Sequence, residues 1–316
     1  MAGRKNEVIL RKGKKSMKDY VMSAEEREFL EKYDLTKYDR PSLTADIAVF
    51  AILSAGEPEE YRKDPEKKLG VLLIKRGGFP YKGYYALPGG FAARGEDLEG
   101  TALRELKEET SVDNAFLEPF GVFSAPGRDP RGWVVSQAFL ALVDEKKCKV
   151  SAGSDAGEAA WFFIDMEREE LKKHVKKESA GIRTRYKLKL ENEMAQISAE
   201  VEEIRTFEKH HERTEYRIVE NEGLAFDHAE IIVRAFQALR ERTAQSGRIV
   251  FDLMPESFTL YSLQEAHEII LGEKLLTPNF RRKVAPLVTE TSKAVATGAG
   301  HRPAKLFKRN LDAFYE

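Results

Sequence analysis

Residues 88–112 have the sequence PGGFAARGEDLEGTALRELKEETSV, and this stretch decides the fold. Its proline and glycines predict a loop, and from Asp97 the apolar residues recur at helical spacing. Glu105, Glu108 and Glu109 then stand at positions i, i+3 and i+4, on one face of that helix. Three carboxylates there repel one another, whereas Mg²⁺ or Mn²⁺ prefers such oxygen ligands. The spacing predicts a divalent-metal site, with a solvated acidic helix face as the alternative.

Strand and helix patterns flank this stretch. Short apolar runs predict strands at residues 45–53, 68–76, 133–143 and 158–164. A helical pattern follows in AFDHAEIIVRAFQALRER, with Asp227 as its N-cap and Glu230 in the capping-box position. Strands and helices mixed in this order predict an α/β fold, a mixed sheet between helices, at about residues 40–245.

A highly charged excursion at about residues 172–222 interrupts this domain. TRYKLKLEN (184–192) and TEYRIVEN (214–221) alternate polar and apolar residues, which predicts strands. Between them, EMAQISAEVEEIRTFEKH (193–210) has the composition of a helix. We therefore expect two strands flanking a helix, and the sequence assigns no function to this insertion.

The C-terminal segment is basic and has the element order of a winged helix, predicted at about residues 255–312. Between residues 274 and 309, nine positive residues stand against one acidic residue, which predicts a phosphate-binding surface. Two helical patterns (262–272 and 277–288) precede a hairpin pattern (293–309). The side chains expected to contact double-stranded DNA are those that open the second helix and those on the wing: Asn279, Arg281, Arg282, Lys283, Lys293, Arg302 and Lys305. The alternative is a basic surface that serves solubility or dimer contacts.

Length and composition favour a soluble, cytoplasmic, two-domain protein. The 316 residues exceed one usual domain, and no apolar stretch is long enough to cross a membrane. The basic N-terminus lacks a secretory pattern, and the single cysteine, Cys148, excludes an internal disulfide. Residues 1–39 are expected to form an accessory arm with one short helix, opened by Ser23 with Glu26 three residues on.

The residues at 88–112 also resemble a known family. The fixed positions of the Nudix box, G-x5-E-x7-R-E-U-x-E-E-x-G-U with U aliphatic, are matched by Gly90, Glu96, Arg104, Glu105, Leu106, Glu108, Glu109 and Val112. Ser111 stands where the family has glycine, a departure that bears on local geometry. Beyond the box, the stretches YDRPSLTADIAVF, YKGYYALPGGF, GRDPRGWVVSQAFLAL, LAFDHAEII and GHRPAKLF resemble the Nudix-related transcriptional regulators and their hydrolase relatives.

The resemblance implies a Nudix α/β/α sandwich followed by a winged helix-turn-helix. It implies catalytic and metal-ligand roles for Glu105, Glu108 and Glu109, and a structural pairing of Arg104 with Glu96. It further implies that a backbone carbonyl of Gly89 or Gly90 binds the metal and that a later loop supplies the catalytic base. Asp155 and Glu158 are the candidates for this base. The alternative is that both are ordinary acidic residues of a loop.

The predicted function is that of a Nudix hydrolase. Water would attack the pyrophosphate of a nucleoside diphosphate linked to another group, with ADP-ribose as the leading substrate. The alternative is a catalytically silent repressor whose Nudix domain senses the nucleotide. A homodimer is expected, because DNA-reading winged helices often pair across a two-fold axis.

Two further groups of residues are candidates for contact with the nucleotide. Arg128, Asp129 and Arg131 lie in a loop whose guanidinium groups suit ribose or phosphate, although such a loop is also a common turn. The aromatic residues that suit stacking on adenine, or packing in a core, are Phe79, Tyr81 and Tyr84.

Overall fold

The structure, a computed structural model, describes residues 21–56, 65–110, 112, 115–145, 159–176, 179–295 and 303–315. The chain forms two compact units, Met1–Arg40 and Pro41–Glu316. The described part of the first unit contains helix α1 (Ala24–Lys32) and a short 3-10 helix. As predicted, the Ser23 side chain caps α1 by accepting a hydrogen bond from the backbone N–H of Glu26.

The second unit contains the mixed strands and helices that the sequence predicts. Its helices are α2 (Leu98–Thr110), α3 (His228–Gln245), α4 (Leu260–Leu271), α5 (Thr277–Val284) and α6 (Asp312–Tyr315), with 3-10 helices at Arg248–Leu253 and Ala285–Leu287. Its strands are β1 (Ser42–Ala55), β2 (Glu66–Lys75), β3 (Tyr85–Ala86), β4 (Gly89–Phe91), β5 (Phe116–Phe123), β6 (Val134–Leu142), β7 (Ala159–Lys176), β8 (Ser179–Glu191), β9 (Gln196–Glu208), β10 (His211–Glu222), β11 (Val288–Val295) and β12 (Ala304–Arg309). Within the described residues, no helix is long and apolar enough to cross a membrane.

One large mixed sheet separates two hydrophobic cores. Within the described residues its main path runs β10-β9-β8-β7-β2-β1-β6-β5, and β1 pairs in parallel with β6 and antiparallel with β2. Side chains of β1 alternate between the faces: Ile47 and Val49 pack with α2, and Ala48 and Phe50 pack with α3. The predicted α/β/α sandwich is confirmed.

The charged insertion continues the sheet, and the helix predicted at residues 193–210 is wrong. That segment forms β9, which pairs with β8 on one side and β10 on the other. Ile197, Ala199 and Val201 are buried at every second position, which is the period of a strand. Burial of this face against α3 overrides the helical preference of the glutamates and alanines.

The sheet ends in two differently built edges. Strand β5, at one edge, contains the exposed Pro119, and its register shifts between Pro119 and Gly121. Strand β10, at the other edge, is mostly exposed and begins with His211, Glu212 and Arg213.

The C-terminal elements form the predicted winged helix. A capping box of Thr259 and Ser262 opens α4, and Gly272 ends it in a left-handed conformation. Strands β11 and β12 form the antiparallel wing. Leu263 of α4 and Phe280 of α5 belong to the same hydrophobic core as α3, so the core is continuous between the sandwich and the winged helix.

Candidate functional site

The predicted acidic residues lie on α2, close to the backbone of Gly89 and Gly90 in β4. The carboxylate of Glu105 lies against Gly90, where an added Cβ would stand 2.1 Å from Oε1. The Gly89 N–H donates a hydrogen bond of 3.1 Å to Oε2 of Glu109. Glycine at 90 therefore lets the backbone approach the Glu105 carboxylate, and glycine at 89 lets it approach the Ala45 carbonyl oxygen of β1.

Arg104 and Glu96 form the pairing that the resemblance implies. Nε and an NH2 group of Arg104 donate to the two carboxylate oxygens of Glu96 at 2.8 and 3.2 Å. The Arg104 hydrogen bond is the largest cause that lowers the pKa of Glu96 to about 2. Arg104 also donates to the carbonyl oxygen of Phe91, so it fixes the box loop to α2.

The three glutamates fit a hard divalent cation by chemistry and charge. Burial, and then the neighbouring charge of Glu105, raises the pKa of Glu109 to about 8, with smaller contributions from Glu108 and Asp46. This excess negative charge and all-oxygen donor set suit Mg²⁺ or Mn²⁺. Among the described residues, no three potential ligands converge into a metal-binding arrangement, and Arg104 pairs with Glu105 at 2.7 Å and with Glu108 at 3.3 Å.

The predicted ligand loop contributes Arg128 to an internal ion-pair cluster. Arg128 donates to both carboxylate oxygens of Asp227, at 2.8 and 2.7 Å, and to Asp46 at 3.2 Å. Ser136 also donates to Asp46, at 2.6 Å. The Arg128 side chain is only 5% exposed, so these protein partners occupy a guanidinium group that the sequence suggested for ligand contact.

Asp227 occupies the N-cap position of α3 without capping it. Its side chain makes no capping hydrogen bond, because its carboxylate binds Arg128. The predicted capping box is therefore wrong, and Glu230 instead accepts a hydrogen bond from Arg234. The position of the helix start is as predicted.

His228 ties α3 to the loop that precedes the Nudix box. Its Nδ1 accepts a hydrogen bond of 2.8 Å from the backbone N–H of Leu87. Burial lowers the pKa of His228, which favours the neutral ring that this hydrogen bond requires. His228 and Asp46 were missed as members of the site, although LAFDHAEII was among the stretches that carried the resemblance.

Arg131 remains partly accessible, unlike Arg128. It pairs with Asp129 through two guanidinium nitrogens, and its side chain is 41% exposed. Its guanidinium lies over the Phe91 ring at 4.8 Å and near the Phe226 ring at 5.5 Å. Of the predicted aromatic residues, Tyr81 contacts Phe226 and Tyr84, whereas Phe79 is 86% exposed.

A second candidate surface lies on the winged helix. Phe280 and Val284 bury one face of α5, and Arg281, Arg282 and Lys283 are exposed. Asn279 accepts a hydrogen bond from Arg282. On the wing, Lys293 is exposed, and Lys305 is exposed but paired with Glu290 at 2.7 Å.

Five residues named from the sequence lie outside the described residues: Cys148, Ser111, Asp155, Glu158 and Arg302. The roles suggested for the two acids and for Arg302 stay predictions.

Comparisons with known proteins match both parts of the chain. A model of the NUDIX domain matches residues 61–184, and a model of the NrtR DNA-binding winged helix domain matches residues 250–308. The ADPR responsive transcriptional repressor NtrR of Acinetobacter baylyi is 30% identical over 298 residues, which are 93% of this chain and 92% of that protein. The chain belongs to the NrtR family of Nudix-related regulators.

Two further similarities cover parts of this NrtR-family chain. The ADP-ribose pyrophosphatase of Methanocaldococcus jannaschii is 40% identical over 139 residues, 44% of this chain and 73% of that protein. The crystal structure of Shewanella oneidensis NrtR complexed with a 27mer DNA has a TM-score of 0.56 and 25% identity, covering 85% of this chain and 94% of that one.

Proposed function

We propose that this protein is a DNA-binding regulator that responds to an ADP-ribose-like nucleotide in its Nudix domain. The observation that carries the proposal is that one helix, α3, contacts both the Nudix site and the winged helix. Its N-terminal residues Asp227 and His228 contact the site residues Arg128 and Leu87. Near its other end, Nε of Arg240 donates to the Ile270 carbonyl of α4 at 2.9 Å.

The partners proposed for the two parts follow from their chemistry and from the relatives. The relative from A. baylyi is named for its response to ADPR, and the S. oneidensis relative was crystallised with DNA. Exposed cations on α5 and the wing suit the DNA backbone. Because many winged helices bind two half-sites, we further propose a homodimer.

The coupling follows from packing. A ligand that shifts the N-terminal end of α3 moves a helix whose side chains pack in one core with Leu263 of α4 and Phe280 of α5. Packed cores change between discrete arrangements, so a small shift at the site changes the placement of α5. The ligand can shift this equilibrium only by its difference in affinity for the two arrangements.

Metal-dependent hydrolysis, which the Nudix box predicted first, is the second candidate function. The observation that favours it is the complete set of glutamates on α2. Glu105, Glu108 and Glu109 would hold the Mg²⁺ or Mn²⁺, which when bound polarises the pyrophosphate and supports attack by water. Arg104 donates hydrogen bonds to Glu105 and Glu108 and so helps to orient them. With ADP-ribose, the products are AMP and ribose 5-phosphate.

One pair of assays on the full chain tests both candidates. Double-stranded DNA selected from a random library is titrated with protein, with and without ADP-ribose. We expect saturable, sequence-selective binding that ADP-ribose weakens, and binding that is indifferent to both sequence and ADP-ribose contradicts the regulator.

AMP release is followed in parallel with Mg²⁺ for wild type, Glu105→Gln and the control Glu99→Gln. Glu99 lies in the first turn of the same helix and is exposed. Turnover in wild type and Glu99→Gln that Glu105→Gln loses supports hydrolysis. Turnover unchanged in Glu105→Gln, or absent from wild type, contradicts it.

A further inference from the structure

Two arginine side chains from different parts of the chain lie near the Phe226 ring. The guanidinium of Arg76, at the end of β2, lies 4.9 Å from the ring centroid, and that of Arg131 lies 5.5 Å from it. Tyr81 contacts the same ring at 4.7 Å. Phe226 has a φ of 54°, and Tyr81 a φ of 60°. Non-glycine residues rarely adopt this left-handed conformation, and such strain concentrates at ligand sites.

Arg76, Tyr81, Arg131 and Phe226 form a cluster whose charges attract an anion. Burial, and then the charge of Arg131, lowers the pKa of Arg76. The negative charge of Asp129 compensates the positive charge of Arg131, with which it forms an ion pair at 2.6 Å. Nε of Arg76 donates to the Pro80 carbonyl at 2.8 Å, and no described residue accepts from its two terminal NH2 groups. A phosphate oxygen is the partner that such groups bind best.

The cluster is open to solvent and adjoins the Nudix box. Tyr81 is 37% exposed and Phe91 is 41% exposed. Phe91 packs under Arg131 through its ring, and its carbonyl oxygen accepts a hydrogen bond from Arg104. Phe91 therefore contacts both Arg131 of the cluster and Arg104, which binds the acidic residues. The cluster thus lies within reach of a nucleotide bound at the Nudix box.

We propose that Arg76 and Arg131, which both lie near the Phe226 ring, bind a phosphate group of the nucleotide. This inference rests on the proposed nucleotide-responsive function and adds Arg76 and Phe226 to its site. Arg76 contributes its terminal NH2 groups, and Arg131 contributes charge while it stays paired with Asp129. The Phe226 ring packs near both guanidinium groups.

Calorimetric titration of the full chain in EDTA tests this proposal without turnover. The probes are ADP-ribose, inorganic pyrophosphate and adenosine, which has no phosphate. We expect Arg76→Gln to weaken binding of ADP-ribose and of pyrophosphate at least about tenfold, as for the loss of a charge-assisted hydrogen bond, and to leave adenosine unchanged. Arg76→Lys keeps the charge and should lose less.

Arg217→Gln is the matched control, because it removes the same charge from the exposed strand β10. Wild-type affinity for ADP-ribose in Arg76→Gln, or an equal loss for adenosine, overturns the phosphate site. If wild type does not bind ADP-ribose, the proposed function fails. The titration with pyrophosphate then tests the phosphate site separately. Pyrophosphate binding that depends on Arg76 supports the phosphate site, and its absence from wild type overturns it. Thermal unfolding of each variant confirms that it is folded.

Discussion

Both carboxylate oxygens of Asp227 accept hydrogen bonds from Arg128, at 2.7 and 2.8 Å, although Asp227 stands at the N-cap position of α3. A carboxylate at this position normally accepts from the first turn of its own helix. Here it joins the helix to the loop at residues 124–133 instead. The start of α3 is thus fixed by a tertiary ion pair that also includes Asp46.

Arg128→Ala should destabilise the protein by about 3–5 kcal/mol, because it leaves the carboxylates of Asp227 and Asp46, only 14% and 11% exposed, without their cation. Arg131→Ala should cost less than about 1 kcal/mol, since its side chain is 41% exposed. Urea unfolding of both variants measures this difference. Similar losses for the two would show that Arg128 is not the structural member of the loop.

The ion pair of Glu96 with Arg104 should make stability depend on acid pH. The pKa of Glu96 is about 2 in the fold, below its ordinary value of 4.5. A carboxyl group with a lowered pKa contributes stability above its unfolded pKa and loses it as the pH falls toward its folded pKa. The melting-temperature difference between wild type and Glu96→Gln should be largest above about pH 5 and shrink below it. A difference that stays constant down to about pH 3 would contradict this role.

Gly90→Ala should impair metal binding more than folding. The added Cβ would stand 2.1 Å from Oε1 of Glu105, so the carboxylate must move away from the loop. Mn²⁺ affinity, followed by paramagnetic resonance, should fall about tenfold or more, as for removal of supporting groups around a metal. Gly78→Ala is the control, because no atom lies within 4 Å of its added Cβ. Equal Mn²⁺ affinities would indicate that Glu105 is not a ligand.

The salt dependence of DNA binding should separate α5 from the wing. Arg281→Gln should lower the slope of log affinity against log salt by about 0.9, the effect of one lost phosphate contact. Lys305→Gln should change the slope less, because Glu290 already pairs with Lys305 at 2.7 Å. Fluorescence anisotropy across a salt series gives both slopes. If Lys305→Gln changes the slope more than Arg281→Gln, the wing is the main phosphate contact.

The architecture was largely predictable because its signals are local. The apolar run of β1, the helical period after Asp97 and the Ser23 cap each depend on neighbouring residues, and each prediction is confirmed. The segment at residues 193–210 was not predictable in this way. Its strand conformation depends on pairing with β8 and on burial under α3, which its composition does not encode.

The candidate site divides in the same manner. The box contacts, such as Arg104 with Glu96, follow from a spacing that a motif records. The partners of Arg128 stand 82 and 99 residues away along the chain, so no local pattern distinguishes this buried arginine from the accessible Arg131. Phe226 likewise acquires its two cations only through the fold.

The two ends of the sheet bear on how the protein behaves at high concentration. A free strand edge is a template for a strand of another molecule, and long flat edges seed aggregates. The exposed Pro119 of β5 has no N–H to donate, and the register shift beside it bends the strand. On β10, Glu212 and Arg213 present charges that a pairing strand would have to desolvate. The insertion therefore adds strands to the sheet but ends it in an edge whose charges oppose pairing with a strand of another molecule.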